Sequence, residues 1–283
     1  MRMNDIRVWV DGARVAADGP AVSAVDHGVT VGDGAFETAK IDAGVPYAVS
    51  RHLARMDRSL AGLGLPAADH DRVREGIAAV LDGPAIPFGR LRWTVTGGRG
   101  PLGSDRLDAG LTYIVTAVEH ARPPATGAVV TVPWVRNERS ATAGLKTTSY
   151  AENVVALARA QEQGAVEALF ANTRGELCEG TGSNVFVVTG GVVRTPPLSS
   201  GCLAGISREL VLEWCRAEGV EVLEEDLPLS VLTEADELFL TSSVKDVMPV
   251  SAVDGRPLPA PGPLTAAVRA AWARHAAAEG VDP

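Results

Sequence analysis

The sequence predicts two α+β lobes joined by a short proline-rich link, and three observations predict it. Strand-like and helix-like segments mix without the strict alternation of a doubly wound sheet. The stretch EHARPPATG, near the middle, has the proline, glycine and small polar residues of a linker. At 283 residues the chain is too long for one small core and ample for two. The expected organisation is a smaller N-terminal domain over 1–119, a link over 120–127, and a larger C-terminal domain over 128–283 that carries Lys146.

The elements follow in order. IRVWV reads as a strand, Asp11-Gly12 as a turn, and residues 13–17 as a returning strand. GDGAFETAKIDAGVPYAV reads as two strands joined at Asp42–Gly44, and period-two alternation puts Phe36, Thr38 and Lys40 on one face. Ser50 is expected to cap a helix through HLARMDRSLAGL, which the glycines at 62 and 64 and Pro66 end. A second helix is expected over 69–81, then strands at LRWTVTG and LTYIVTAV. Beyond the link, VVTVPWV opens the second lobe and a helix is expected near 150–163. Strand patterns recur at EALFANT, SNVFVV, VVRT, VEVLEED and ELFLTSS, with helices near 206–217 and 263–279.

Composition narrows the function classes. Apolar residues make up 46% and charged residues 22%, the balance of an ordinary soluble globular protein. A net charge of −9 with no basic tract argues against nucleic acid or an acidic membrane as partner. No window approaches the roughly 20 apolar residues of a membrane span. MRMNDIRVWVDG lacks a signal-peptide core. Cys178, Cys202 and Cys215 form no C-x-x-C pair, which fits buried thiols in a reducing cytoplasm better than disulfides or a metal site.

Only three of the 26 basic residues are lysines: Lys40, Lys146 and Lys245. A desolvated lysine amine is a nucleophile and a guanidinium is not, so any lysine-based covalent chemistry rests on one of these three. Lys146 follows a polar, glycine-containing loop and precedes a helix. Glu179 lies among small residues in ELCEGTGSNVF, where a carboxylate can approach a flat ring. Gly205-Ile206-Ser207 opens a helix whose free amides suit an anion. Thr241, Ser242 and Ser243 end a strand with three hydroxyls, and Arg55 offers a guanidinium for a charge-assisted pair. Each alone has a plain structural reading as well, as surface lysine, turn glutamate, turn formers or solvated arginine.

Taken together, FETAK, RHLARM, GLKTTSYAEN, CEGTGSNVF, LAGISR and FLTSSVKDVMPV resemble, in order, the fold-type IV pyridoxal-phosphate enzymes. That family holds branched-chain and D-amino-acid aminotransferases, amine transaminases and aminodeoxychorismate lyase. The resemblance implies a two-lobed α+β, D-amino-acid-aminotransferase-like fold with pyridoxal 5'-phosphate between the lobes, in homodimers that share a site. It makes Lys146 the Schiff-base lysine, Glu179 the partner of the pyridine nitrogen, and Arg55 the phosphate arginine. Ile206, Ser207 and Ser243 become phosphate donors, and Asn184 a support for the Glu179 strand.

Within the family, Leu102 and Ser104 stand where D-amino-acid aminotransferases carry an Arg and a His that trap the substrate carboxylate. Phe36 followed by Thr38 resembles aminodeoxychorismate lyase, as does Arg92, whereas the second basic residue expected near Leu102 is missing. Phe36, Lys40 and Arg92 are the expected substrate-binding residues, Thr38 a catalytic hydroxyl, and Arg99 a stand-in for the absent cation. The resemblance thus implies a small amino substrate. It ranks a lyase giving 4-aminobenzoate and pyruvate first, an aminotransferase of D- or branched-chain amino acids or amines second, and a silent cofactor-binding paralogue last.

Overall fold

The structure is a computed structural model and describes residues 5–283. The chain forms two units. The first holds the residues up to 122 with 145–149 and 282, and the second holds 123–144 with 150–281 and 283.

In the first unit, β1 (Arg7–Val10), β2 (Ala13–Val15), β3 (Gly34–Asp42), β4 (Val45–Pro46), β5 (Phe88–Thr96) and β6 (Thr112–Glu119) make one six-stranded sheet. Its order is β2-β1-β6-β5-β3-β4, and every pairing is antiparallel. Besides the one-turn α1 (His27–Thr30), two helices form, α2 (Val49–Gly62) and α3 (His70–Leu81). Leu53, Met56 and Leu60 of α2 recur at helical spacing and bury against alternate strand residues, among them Ala39, Leu91, Trp93 and Val115. Val73, Ile77 and Val80 of α3 complete this core. Gly76 lets α3 approach closely, since a Cβ there would lie 2.5 Å from Val115 and 2.7 Å from Trp9. Asp69 caps α3 by accepting from the Asp71 and Arg72 amides.

Ser50 does not cap α2. Ala48, at φ 56°, turns the chain two residues earlier, and His52 already donates its amide to the Ala48 carbonyl. Ser50 therefore lies in the first helical turn, where its amide and hydroxyl donate to Asp282 at 2.9 and 2.6 Å. Asp282 supplies the acidic group that this helix start lacks in its own sequence.

The second unit is built on β7 (Gly127–Arg136), β8 (Glu167–Asn172), β9 (Leu177–Gly180), β10 (Asn184–Thr189), β11 (Val192–Thr195), β12 (Val222–Glu224), β13 (Glu237–Ser242), β14 (Asp246–Val253) and β15 (Arg256–Pro257). These form a nine-stranded mixed sheet of order β12-β11-β10-β13-β14-β7-β8-β9, with β15 on β14. Helices α4 (Ala151–Glu162), α5 (Ile206–Ala217), α6 (Val231–Glu234) and α7 (Pro263–Ala278) belong to this unit. Phe186 and Phe239 stack at 4.7 Å, and Trp214 of α5 meets Trp272 of α7 edge-on at 4.9 Å.

Strand β14 is missing from the sequence reading, and it contains Pro249, a residue type that argues against a central strand. The sheet accommodates it: Pro249 pairs with Phe239 of β13, while the pairing with β7 begins only at Val250. Among the described residues, no helix is long and apolar enough to cross a membrane.

Lys146 is expected in the C-terminal domain, and here the chain departs from the reading. Residues 145–149 return to the first unit as an added rung beside β3. Phe36 donates its amide to the Lys146 carbonyl at 3.0 Å, and Thr148 donates to Gly34 at 2.8 Å. The Lys146 amide donates to Ser59 Oγ of α2 at 3.1 Å. An edge of β3 left without a full partner strand captures the passing segment, which sequence distance alone does not reveal.

Candidate active site

In the first unit, the alternation of β3 sorts its side chains. Ala35, Ala39 and Ile41 join the helix-covered core, and Phe36, Thr38 and Lys40 take the other face. Lys146 Nζ lies 4.5 Å from the Phe36 ring centroid, and the Arg92 guanidinium lies 3.7 Å from it. Two cations thus share one aromatic ring, with Arg92 exposed and Lys146 half-buried. Thr38 stands directly opposite Arg92 in the β3–β5 register. Lys40, opposite Arg90, is buried with Nζ 4.6 Å from the Tyr47 ring. The structure therefore gathers Lys146, Phe36, Thr38 and Arg92, with Lys40 one step along the strand. Leu102 is 81% exposed, and Arg99 is exposed with its backbone bridging Asp26.

Behind this face lies a buried ionic cluster. Glu37 is on the core side of β3 and wholly buried. Arg55 donates Nε and Nη2 to its two oxygens at 2.9 and 2.6 Å, and His52 Nδ1 lies 2.6 Å from Oε2. Burial would raise the Glu37 carboxyl, but the Arg55 charge and the bonds from Arg55 and His52 hold it at about 2. Burial pushes His52 below its ordinary value; Glu37 opposes this, while the Arg55 and Lys146 charges add to it. Glu37 and His52 escaped the sequence reading. The available signal was an acid between Ala35 and Ala39 on an inward strand face, which requires a buried cation.

In the second unit, Glu179 sits on β9 opposite Phe170 of β8. Its Oε2 accepts from the Leu203 amide at 3.0 Å. Asn184, expected to support the Glu179 strand, opens β10 and donates Nδ2 to the Leu203 carbonyl at 2.8 Å. One residue, Leu203, is therefore gripped at both its amide and its carbonyl, by Glu179 and by Asn184. It leads into α5, whose first residues are Ile206 and Ser207, both buried. The N-cap is Gly205, without a side-chain cap bond; a Cβ there would stand 1.9 Å from Asn184 Oδ1. Thr241 pairs with Asn184 across β10 and β13, and its buried Oγ1 has no hydrogen-bond partner. Ser242 Oγ accepts from the Lys245 amide, and Ser243 is half-buried. A helix start without a side-chain cap and an orphaned buried hydroxyl are the donors a phosphate needs, so these residues fit a phosphorylated cofactor.

The comparisons agree with this geometry. The sequence profile described as amino-transferase class IV matches residues 34–253, and the chain belongs to that family of pyridoxal-phosphate-dependent enzymes. It is 32% identical over 258 residues to a Methanocaldococcus jannaschii protein provisionally named a branched-chain-amino-acid aminotransferase, covering 89% of each chain. It is 31% identical to D-alanine aminotransferase of Bacillus licheniformis, over 94% of this chain and 95% of the other. Aminodeoxychorismate lyase of Bacillus subtilis is 27% identical, over 87% of this chain and 86% of the other. Among solved structures, branched-chain aminotransferase from Thermoproteus uzoniensis superposes with a TM-score of 0.87 at 26% identity, covering 95% of this chain and 93% of that one. A PLP-bound hypothetical aminotransferase from Mycobacterium tuberculosis superposes with a TM-score of 0.81 at 25% identity, covering 97% and 100%.

Proposed function

We propose that the chain is a lyase converting 4-amino-4-deoxychorismate to 4-aminobenzoate and pyruvate. Lys146 carries the cofactor, and Glu179 pairs with its ring nitrogen. Ile206, Ser207, Ser243 and Arg55 hold its phosphate. Arg55 does so as a fork already fixed on Glu37, which lowers the entropy lost on binding. When bound, pyridoxal phosphate draws electrons away from the carbon that bears the substrate nitrogen. Lys146 Nζ takes the proton from that carbon. The bond from the neighbouring ring carbon to the enolpyruvyl oxygen then breaks, the ring becomes aromatic, and the departing enolpyruvate takes up a proton to become pyruvate. Thr38 gives that proton and regains one from the Lys146 ammonium, so no net proton is consumed, and Arg92 and Lys40 pair with the substrate carboxylates.

The observation that carries this reading is the Thr38 hydroxyl, on the same strand face as Phe36 and directly opposite Arg92. The exposed, uncharged Leu102 argues against the carboxylate trap of D-amino-acid aminotransferases, and the second basic residue that the lyase resemblance expects near it is missing as well. A second reading, an aminotransferase of branched-chain or D-amino acids, is favoured by the higher identity of the two aminotransferase relatives. The deciding experiment supplies aminodeoxychorismate without keto acid. Equal release of 4-aminobenzoate and pyruvate, cut at least about tenfold in Thr38→Val, is the expected result. Brisk amino transfer to 2-oxoglutarate or pyruvate with no 4-aminobenzoate would hand the chain to the aminotransferases.

A further inference from the structure

Next to Glu179 stands a residue that neither the sequence reading nor the fold accounts for. Arg136 ends β7, with Nε 3.2 Å from Glu179 Oε1. That contact is ionic and not an aligned hydrogen bond, since the buried Nε has no hydrogen-bond acceptor. Nη1 donates to Glu152 of α4 at 2.6 Å and lies 3.2 Å from Asn153 Oδ1. The guanidinium carbon lies 4.1 Å from the Phe170 ring centroid. The β7-β8-β9 order produces this stack, because Arg136 is in register with Asn172 on β8, two residues from the Phe170 that faces Glu179. The planar cation is fixed from below by the ring and from one edge by Glu152 and Asn153, and its other edge is turned to Glu179.

We infer that Arg136 sets the basicity of Glu179, and so keeps the proton shared between Glu179 and the cofactor ring nitrogen on the nitrogen. The inference rests on the role proposed for Glu179. A cation within about 4–6 Å lowers a carboxyl pKa by about one to three pH units. It lowers a ring nitrogen farther off by less, because the interaction falls with distance. The difference decides which of the two bases holds the proton.

Arg136 is the cation in direct contact with Glu179, at 3.2 Å, and Arg208 acts on the neighbouring Cys202. Glu152 on α4 is paired with Arg136. Burial, and then the negative charge of Glu179, push the thiols of Cys178 and Cys202 up, with Cys202 at about 11, so both stay neutral. The Leu203 amide is a dipole without net charge. With Arg136 removed, Glu179 would lose the guanidinium at 3.2 Å and would compete more strongly with the ring for the proton.

The test is the 15N chemical shift of ring-labelled cofactor in holoenzyme at neutral pH, read beside kcat and KM. Wild type should give a pyridinium-like shift. Arg136→Met keeps a long side chain over Phe170 but loses the charge. It should move the shift toward neutral pyridine and lower kcat by about tenfold or more, with KM changing less. Arg136→Lys restores the charge and should recover most of the shift, whereas Glu152→Gln should leave it pyridinium-like. A wild-type shift in Arg136→Met overturns the inference, and so does a Lys variant no better than Met, which would leave Arg136 a purely structural role. Arg136→Gln serves if the Met protein does not accumulate, with the same two outcomes. Glu179→Gln separates this from the underlying reading. If that variant also keeps the wild-type shift, Glu179 is not the nitrogen partner; if it alone loses the shift, only the role of Arg136 falls.

Discussion

Replacing Glu37 with glutamine isolates the buried cluster behind Lys146. The amide keeps the shape of the side chain but removes the charge that Arg55 and His52 face, so a guanidinium remains buried without its carboxylate. Glu37 is held at about 2 in the fold, against an ordinary 4.5. A difference of about 2.5 pH units, at about 1.4 kcal/mol each, corresponds to about 3 kcal/mol of folding stability at neutral pH. That lies within the range for breaking a buried ion pair. Because the folded carboxyl is more acidic than the unfolded one, this contribution is complete above pH 4.5 and lost as the pH falls toward 2. It should stand near 3 kcal/mol at pH 5 and near 1 kcal/mol at pH 3.

His52 adds a loss of the same sign at higher pH. Its folded value lies below 6.5, so acidification through 6.5 favours the unfolded chain, which binds the proton more readily. The assay is urea unfolding at pH 7, 5 and 3, read by pulsed hydrogen exchange on peptides covering residues 34–62. Comparing wild type with Glu37→Gln cancels the other carboxylates. The gap should be about 3 kcal/mol at pH 7 and should shrink by half or more by pH 3. A gap below about 1 kcal/mol at pH 7, or one independent of pH, would refute the assignment of the cluster's stability to the Glu37 charge.

Borohydride treatment of the holoenzyme should fix the cofactor covalently on Lys146, as read by peptide mapping. Label on Lys40 or Lys245 would remove Lys146 from the chemistry. Arg55→Lys keeps the charge but not the fork that spans both Glu37 oxygens, so titration of the apoenzyme should show cofactor affinity at least about tenfold weaker. Turnover at saturating cofactor should fall less, because the phosphate is remote from the reacting carbon.

Much of this was legible in the sequence because local chemistry announced it. Alternation on β3 sorted Phe36, Thr38 and Lys40 from the core, and the helix start at Gly205 was visible as well. The rest depended on long-range pairing. Nothing local tells that residues 145–149 return to β3 and leave Lys146 beside Phe36 in the first unit, because the bonds that hold them span about a hundred residues. Strand β14 contains Pro249, which the rule about central strands disfavours; that rule holds for a strand's middle, and the β7 pairing begins just past it. Ser50 misled because side-chain capping preference is weaker than a left-handed residue that starts the helix earlier. Glu37 was named within FETAK but not weighed, although a carboxylate on a core face was itself the signal.

The two arginine–carboxylate pairs use one pairing chemistry in two different ways. In the first unit the fork of Arg55 is aligned on Glu37, with two short hydrogen bonds and His52 completing the cluster. There the carboxylate fixes the arginine, and the arginine is the group proposed to meet the phosphate. In the second unit the order is reversed: the carboxylate is the proposed contact, and the arginine stands behind it. Arg136 is held by Phe170, Glu152 and Asn153, and meets Glu179 only off-axis at 3.2 Å. Alignment suits a group whose task is to stay in place, because directional bonds fix geometry. An off-axis charge suits a group whose task is to stay ionised while its oxygens accept other donors, because Coulomb attraction acts without occupying a lone pair. If that distinction is correct, the two substitutions should separate cleanly. Charge loss at Glu37 should appear as stability and cofactor affinity, and charge loss at Arg136 as ring protonation and turnover.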